Sequence, residues 1–180
     1  MKRQTPASFV AFLRAVNVGG TGALSMKVLA SLCTGIGLTE VRTYIQSGNV
    51  VFSSALSKAD VRARIEKALE QATGKRIDVI VRMGAELGSM VDANPFPKAN
   101  PSQVGVVFLA RPPSAETLKS IVIPGREELV PLDQDVVVHY PDGMGRSKLK
   151  LAALGVGTVR NLNTVRKLAE MASAQVLPGP

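Results

Sequence analysis

Between Asn94 and Pro101 the chain reads Asn-Pro-Phe-Pro-Lys-Ala-Asn-Pro, a density of proline that no regular element survives. Each proline lacks a backbone donor and biases the residue before it away from the helical region, so neither a helix nor a central strand crosses this stretch. The chain is therefore expected to form two small halves, residues 1–93 and 103–180, joined by a Pro-rich linker at 94–102. A length of 180 residues accommodates two such subdomains or one medium domain.

The first half alternates elements. Ser8 to Val16 is a mostly apolar, β-compatible run, followed by the loop Asn17-Val18-Gly19-Gly20-Thr21-Gly22 and by Ser25, a helix cap for a segment reaching about Ile36. From Glu40 to Gln46 the residues Val41, Thr43 and Ile45 share one face, and Ser47-Gly48 then reads as a tight two-residue turn before Asn49 to Ser53. Ser57 or Asp60 caps a second helix with Val61, Ile65, Ala68, Leu69 and Ala72 inward, ended by Gly74, before a strand from Ile77 to Arg82. Residues 8 to 82 thus spell βαββαβ, the ferredoxin-like order, and a third helix follows over about 85–93.

Beyond the linker come a strand at 103–110, a helix at 114–122, two strands at 127–132 and 135–140, and helices near 147–154 and 160–173. This βαββαα reading makes the chain α+β, with a second subdomain of similar architecture. No sequence identity links the halves, so the similarity is one of architecture.

Hydrophobic residues at 46% and charged residues at 20% suit a chain that buries a core. The longest apolar run, 104–110, falls far short of the roughly 20 residues of a membrane-spanning helix. Arg14 interrupts the apolar run that follows Lys2 and Arg3, which argues for a strand over a signal peptide, so no membrane partner and a cytoplasmic location are expected. The single Cys33 lies on an apolar helical stripe with Leu29, Leu32 and Ile36 and reads as a buried, unreactive thiol. A net charge of +8 favours anionic partners and equally suits a solubilising surface. The excess is local: Arg146, Lys148, Lys150, Arg160, Arg166 and Lys167 fall within residues 143–169, where there is no acid.

A ferredoxin-like unit places its third strand between the first two and its fourth beside the first, and this gathers several loops on one edge. Arg14, Asn17, Gly19, Gly20, Gln46, Ser47, Asn49, the helix start at Ser25, and Lys75 with Arg76 are all expected there. Exposed amides, glycines that allow close approach, and guanidinium donors are what phosphate or carboxylate requires. Taken singly each feature has a structural reading: the glycines as loop residues of positive φ, Ser47-Gly48 as a turn, Arg14 as half of an ion pair. The loop matches neither the dinucleotide fingerprint nor the Walker pattern.

A second candidate is Tyr140-Pro141-Asp142-Gly143-Met144-Gly145-Arg146-Ser147-Lys148, a glycine turn leading to a donor-rich helix start at Ser147 and Lys148, equally readable as a turn with a serine cap. Thr158 then caps a helix on which Arg160, Asn163, Thr164 and Lys167 share a face, with Asn161 beside them, and a solvated basic face is the plainer reading. His139, the only histidine, has no matching nucleophile pattern, and no Cys or His cluster offers a transition-metal site, so no metal or cofactor is expected.

The blocks Arg14-Ala15-Val16-Asn17-Val18-Gly19-Gly20, Tyr44-Ile45-Gln46-Ser47-Gly48-Asn49-Val50, Asn94-Pro95-Phe96, Pro141-Asp142-Gly143 through Gly145-Arg146-Ser147-Lys148, and Thr158 through Thr164 together resemble the domain of unknown function 1697 family. In that family the first block usually reads Arg-Gly-Ile-Asn-Val-Gly-Gly, so Ala15 and Val16 depart from it, as Leu162 departs from a usual tryptophan. The resemblance implies an α+β protein with a ferredoxin-like first half and implies no activity.

Three functions stay open on the sequence: a binding module for a phosphate-bearing small molecule or nucleic acid, an enzyme acting on a small anionic substrate with His139 or Lys148 moving a proton, and a structural or interaction protein. For the first, Arg14, Asn17, Gln46, Asn49, Arg160 and Asn163 are the expected donors, converging in a cleft between the halves. Aromatic residues are 4% of the chain, and Ser47-Gly48-Asn49-Val50-Val51-Phe52 lacks the second and third aromatics of an RRM signature, which argues against base stacking in that style, so contacts to phosphate are expected to dominate. Whether catalysis occurs, and the oligomeric state, are left open.

Overall fold

The computed structural model describes residues 5–15 and 24–175. The chain is α+β, built on two four-stranded antiparallel sheets, and divides into two compact units: residues 1–88 together with 168–180, and residues 89–167.

In the first unit β1 (Ala7–Leu13), α1 (Met26–Gly35), β2 (Thr39–Tyr44), β3 (Asn49–Ser54), α2 (Lys58–Thr73) and β4 (Val79–Met83) form a sheet of order β2-β3-β1-β4. That is the ferredoxin-like arrangement expected from the element order, with β1 antiparallel to both β3 and β4. Ser25 caps α1 by accepting from Val28 N, Ser57 caps α2 by accepting from Asp60 N, and Gly74 ends α2 at a φ of 69°. Phe9, Ala11, Leu13, Val50, Phe52, Val79 and Val81 form one sheet face against Leu29 and Cys33 of α1 and Val61, Ile65 and Leu69 of α2. Phe9 and Phe52 stack within it at 5.7 Å. Val10, Phe12, Val51 and Ile80 on the opposite face are buried too, which is why β1 reads as a continuous apolar run instead of an alternating one.

The hairpin departs from its expected form. β2 stops at Tyr44, and Ile45 to Gly48 make a four-residue connection in place of a two-residue turn. Asn49 explains the difference, because its Nδ2 donates to Tyr44 O at 3.0 Å and to Ser47 Oγ at 2.8 Å and so closes the wider loop from inside. β1 is likewise shorter than the apolar run, since Ala15 turns out of the strand at a φ of 54°.

α3 (Gly84–Asp92) follows β4 directly. Its first residue is packed so tightly that a Cβ on Gly84 would lie 2.7 Å from Ala172 Cβ. Gln175 accepts from Ser8 Oγ at 3.0 Å and donates to Glu40 O at 2.7 Å, while Arg42 donates to Met171 O at 2.5 Å. These bonds tie the C-terminal segment to β1 and β2.

The second unit holds β5 (Val104–Leu109), α4 (Ala115–Ser120), β6 (Glu128–Leu132), β7 (Asp135–His139) and β8 (Gly157–Asn161), in the order β6-β7-β5-β8. Two expectations are corrected here. Residues 147–151 form neither helix nor strand and lead into a 3-10 turn at 152–154; Lys148-Leu149-Lys150-Leu151 alternates with period two, leucines partly buried and lysines exposed, a pattern that does not suit a helix. Thr158 is not a helix cap: it lies with Val159 and Arg160 in β8, where branched side chains suit a strand, and the last helix, α5 (Leu162–Ser173), starts later. The observed order is βαβββα. A core of Val107, Leu109, Val136, Val138, Tyr140 and Leu154 is covered by Leu118 and Ile121 from the α4 side and by Leu149 and Leu151.

The Pro-rich stretch 94–102 belongs to this unit. Asn94 Oδ1 accepts from Phe96 N at 3.1 Å, Asn100 Oδ1 accepts from Ser102 N at 3.0 Å, and the Phe96 ring lies 5.3 Å from that of His139. No helix among the described residues is long and apolar enough to cross a membrane.

Candidate anion site

One edge of the first sheet brings together Arg14, the hairpin connection at Gly48, and Arg76 with Asp78. Leu13 N donates to Gly48 O and Arg14 N to Asp78 O, both at 2.9 Å, so the end of β1 is bounded by the hairpin connection on one side and by the approach to β4 on the other. Arg14 extends from this junction with its side chain 49% exposed, and its Nη1 lies 3.5 Å from Asp78 Oδ2. Asp78 also faces Arg76, with Nε 3.8 Å from Oδ1. A single carboxylate thus serves two guanidinium groups at the outer limit of ion-pair distance, and the cluster keeps an excess positive charge.

The backbone at this edge is strained. Ala15 has a φ of 54° and Ile45 a φ of 50°, left-handed conformations that cost an L residue about 1 to 2 kcal/mol and a β-branched one most. Gln46 is exposed and Ser47 half-buried beside them. Asn49 is fully buried, and both of its amide hydrogens are engaged within the connection. Asn17, Gly19 and Gly20 lie outside the described residues.

In the second unit the polar block 140–148 is held by two charged residues outside it, Glu127 and Arg126, that sequence reasoning did not single out. Ser147 Oγ donates to Glu127 Oε1 and accepts from Leu149 N at 3.1 Å, which pins this segment. That hydroxyl holds the Glu127 carboxyl below its usual range. Asp142 forms an ion pair with Arg126, whose guanidinium lowers the Asp142 carboxyl. The partners are 20 and 16 residues apart, so only the topology brings them together. Arg146, Lys148 and Lys150 stand exposed along the same segment.

Arg160 is not on an exposed helical face. It is 8% exposed, its Nη1 donates to Thr158 Oγ1 at 2.6 Å and to Val159 O at 2.9 Å, and burial pulls its guanidinium down to about 10. Asn161 Oδ1 accepts from Thr164 N at 2.9 Å and so supplies the α5 cap, while Asn163 is exposed in the first turn. His139 Nδ1 lies 3.4 Å from Glu128 Oε1. Among the described residues no three His, Cys, Asp or Glu side chains converge as a metal would require.

The sequence pattern of the family described as "Protein of unknown function (DUF1697)" matches residues 7–137, which leaves the blocks at 141–148 and 158–164 outside the matched segment. No curated protein matches the chain. Among solved structures, the conserved bacterial protein SP0830 from Streptococcus pneumoniae is similar, with a TM-score of 0.77 at 22% identity over 93% of this chain and 99% of that one. At that identity the likeness concerns the fold.

Proposed function

The chain belongs to the DUF1697 family of proteins of unknown function, and from that premise we propose that it binds a phosphate-bearing ligand, a nucleotide or a nucleic acid, with Arg14 as the principal charged donor. The observation that carries this reading is the edge at the end of β1, where a half-exposed Arg14 in a 3.5 Å ion pair stands beside two non-glycine residues of positive φ. Strained backbone is retained where its geometry serves a ligand, and a loosely held guanidinium turns to phosphate at little cost.

Gln46 and Ser47 add neutral donors at this edge, and the reading extends to Asn17, Gly19 and Gly20, outside the described residues, as candidate amide donors. In the second unit Ser147, Lys148 and the exposed Asn163 offer further polar contacts, with Arg146 and Lys150 adding charge. Asn49, Asn161 and Arg160 act through positioning: the first closes the hairpin connection, the second caps α5, and the third braces β8.

The test is titration of the chain with a nucleotide panel and short single-stranded oligonucleotides at low and high salt. Arg14→Ala is expected to weaken binding by about tenfold or more, since a charge-assisted contact contributes roughly 1.5 to 3 kcal/mol. Affinity that falls steeply with salt identifies a nucleic acid, and salt-tolerant binding of a mononucleotide identifies a small ligand. Combining Arg14→Ala with Lys148→Ala distinguishes a shared ligand, for which the losses are non-additive, from independent contacts. Absence of any anion binding removes the proposal.

A further inference from the structure

Outside the edge just described, the first unit carries an open groove of about 620 Å³ between α1 and α2, on the side of those helices turned away from the sheet. Val28, Leu32 and Ile36 line one wall at spacings of four along α1 and its cap, and Ala68 and Ala72 line the other at the same spacing along α2. Val28 is 47% exposed, a large apolar side chain left in water at the Lys27 end of the wall. Ser31 and Gly35 keep the groove shallow enough for another backbone to approach.

The charges around this groove have one sign. Lys27 stands at one end, Arg64 and Lys67 at the other, and among the described residues no carboxylate lines it or the cavity that continues past Ile36. Arg64 donates to Ile36 O at 3.4 Å, and neither lysine makes an ion pair among the described residues. An apolar floor of about two helical turns between cationic ends fits one class of occupant. We propose that the α1/α2 groove docks an amphipathic helix of a partner protein, with apolar residues at i, i+3 or i+4, and i+7 on its buried face and acidic residues flanking them. Two adjacent helices present the ridges between which a third seats, and the lysines meet its carboxylates at the rim. The groove lies open along its length, which suits a helix with its own solvated face better than a single acyl chain, which needs enclosure on all sides.

The probe is a capped 14-residue helical peptide with leucines at the stated spacing and glutamates flanking them, titrated into 15N-labelled protein. Three controls accompany it: the same peptide with lysine in place of glutamate, the same peptide with alanine in place of leucine, and vesicles of anionic phospholipid. The expected result is shift changes confined to residues 27–36 and 64–72, with binding about tenfold tighter for the glutamate peptide than for the lysine one. Lys67→Glu together with Lys27→Glu should invert that preference, and Val28→Asp should abolish binding. All three positions are exposed, so the fold persists, as an unchanged amide spectrum would verify. Equal binding of both charge variants, binding that survives Val28→Asp, shifts at other residues, or a groove occupied by lipid and not by the peptide would each overturn the proposal.

Discussion

Arg82 and Arg160 occupy the same point of their two sheets. Arg82 pairs with Val10 across β4 and β1, Arg160 pairs with Val106 across β8 and β5, and each donates Nη1 to the carbonyl just before it, Val81 O and Val159 O, at 2.9 Å. The correspondence runs further. Val10-Ala11-Phe12-Leu13 matches Val106-Val107-Phe108-Leu109 along the central strands, and β3 and β7 open with buried Asn49 and Asp135. Asp135 Oδ1 accepts from Leu109 N at 2.8 Å, where in the other unit Leu13 N meets Gly48 O. Overall identity between the halves is absent, yet their strand registers uncover this short correspondence along the central strands, which the unaligned sequence hides.

Both arginines are expected to be structural. Replacing either by Ala removes a buried side chain and leaves carbonyl acceptors without that donor, a loss of about 2 to 4 kcal/mol in urea unfolding. Arg14→Ala, at a half-exposed position, should cost under about 1 kcal/mol. Equal losses at all three positions would contradict the division of roles.

The first sheet was legible because its signals are local: Ser25, Ser57 and Gly74 mark helix ends, and the period changes between elements. The second was less so. Residues 147–154 read as a helix on composition, yet the alternation of lysine and leucine does not fit one, and Thr158, which reads as a cap, sits in the strand that opens at Gly157. At the candidate site the edge loops followed from topology, while the Ser147–Glu127 and Arg126–Asp142 pairs depend on tertiary packing that no spacing encodes.

Ala15 stands where the family usually has glycine, and its φ of 54° shows what glycine would relieve. Ala15→Gly should stabilise the chain by about 0.5 to 1 kcal/mol, the left-handed penalty less the added backbone entropy of the unfolded state. A drop in thermal midpoint would mean that Ala15 is not strained.

Gly84→Ala should destabilise by about 1 to 3 kcal/mol, because the new methyl would meet Ala172 at 2.7 Å. Adding Ala172→Gly should recover part of the loss, the relieved clash being offset by about 1 kcal/mol for glycine within a helix. Failure of the rescue would show that the C-terminal helix does not pack on the start of α3 in solution.

Burial pushes the Cys33 thiol up to about 12 from 9.0, so the fold retains a proton that the unfolded chain loses earlier. The stability it contributes is full below pH 9 and is lost as pH rises toward about 12, with a limiting slope of about 1.4 kcal/mol per pH unit. Tyr140, raised to about 12 by burial, adds to the upper part of the same window. Denaturant midpoints between pH 9 and 11 should therefore fall less steeply in Cys33→Ala than in the parent. Parallel curves, or rapid labelling of the native thiol, would contradict a buried Cys33.

The most direct measurement of the proposed anion site is an amide-resolved titration of 15N-labelled protein with pyrophosphate, followed by a short oligonucleotide. The account predicts saturable shifts centred on Arg14, Ala15 and residues 46–48, reduced in Arg14→Ala, with the helical groove at 27–36 and 64–72 unmoved. Shifts scattered over the exposed lysines without saturation, or none at the end of β1, would contradict it.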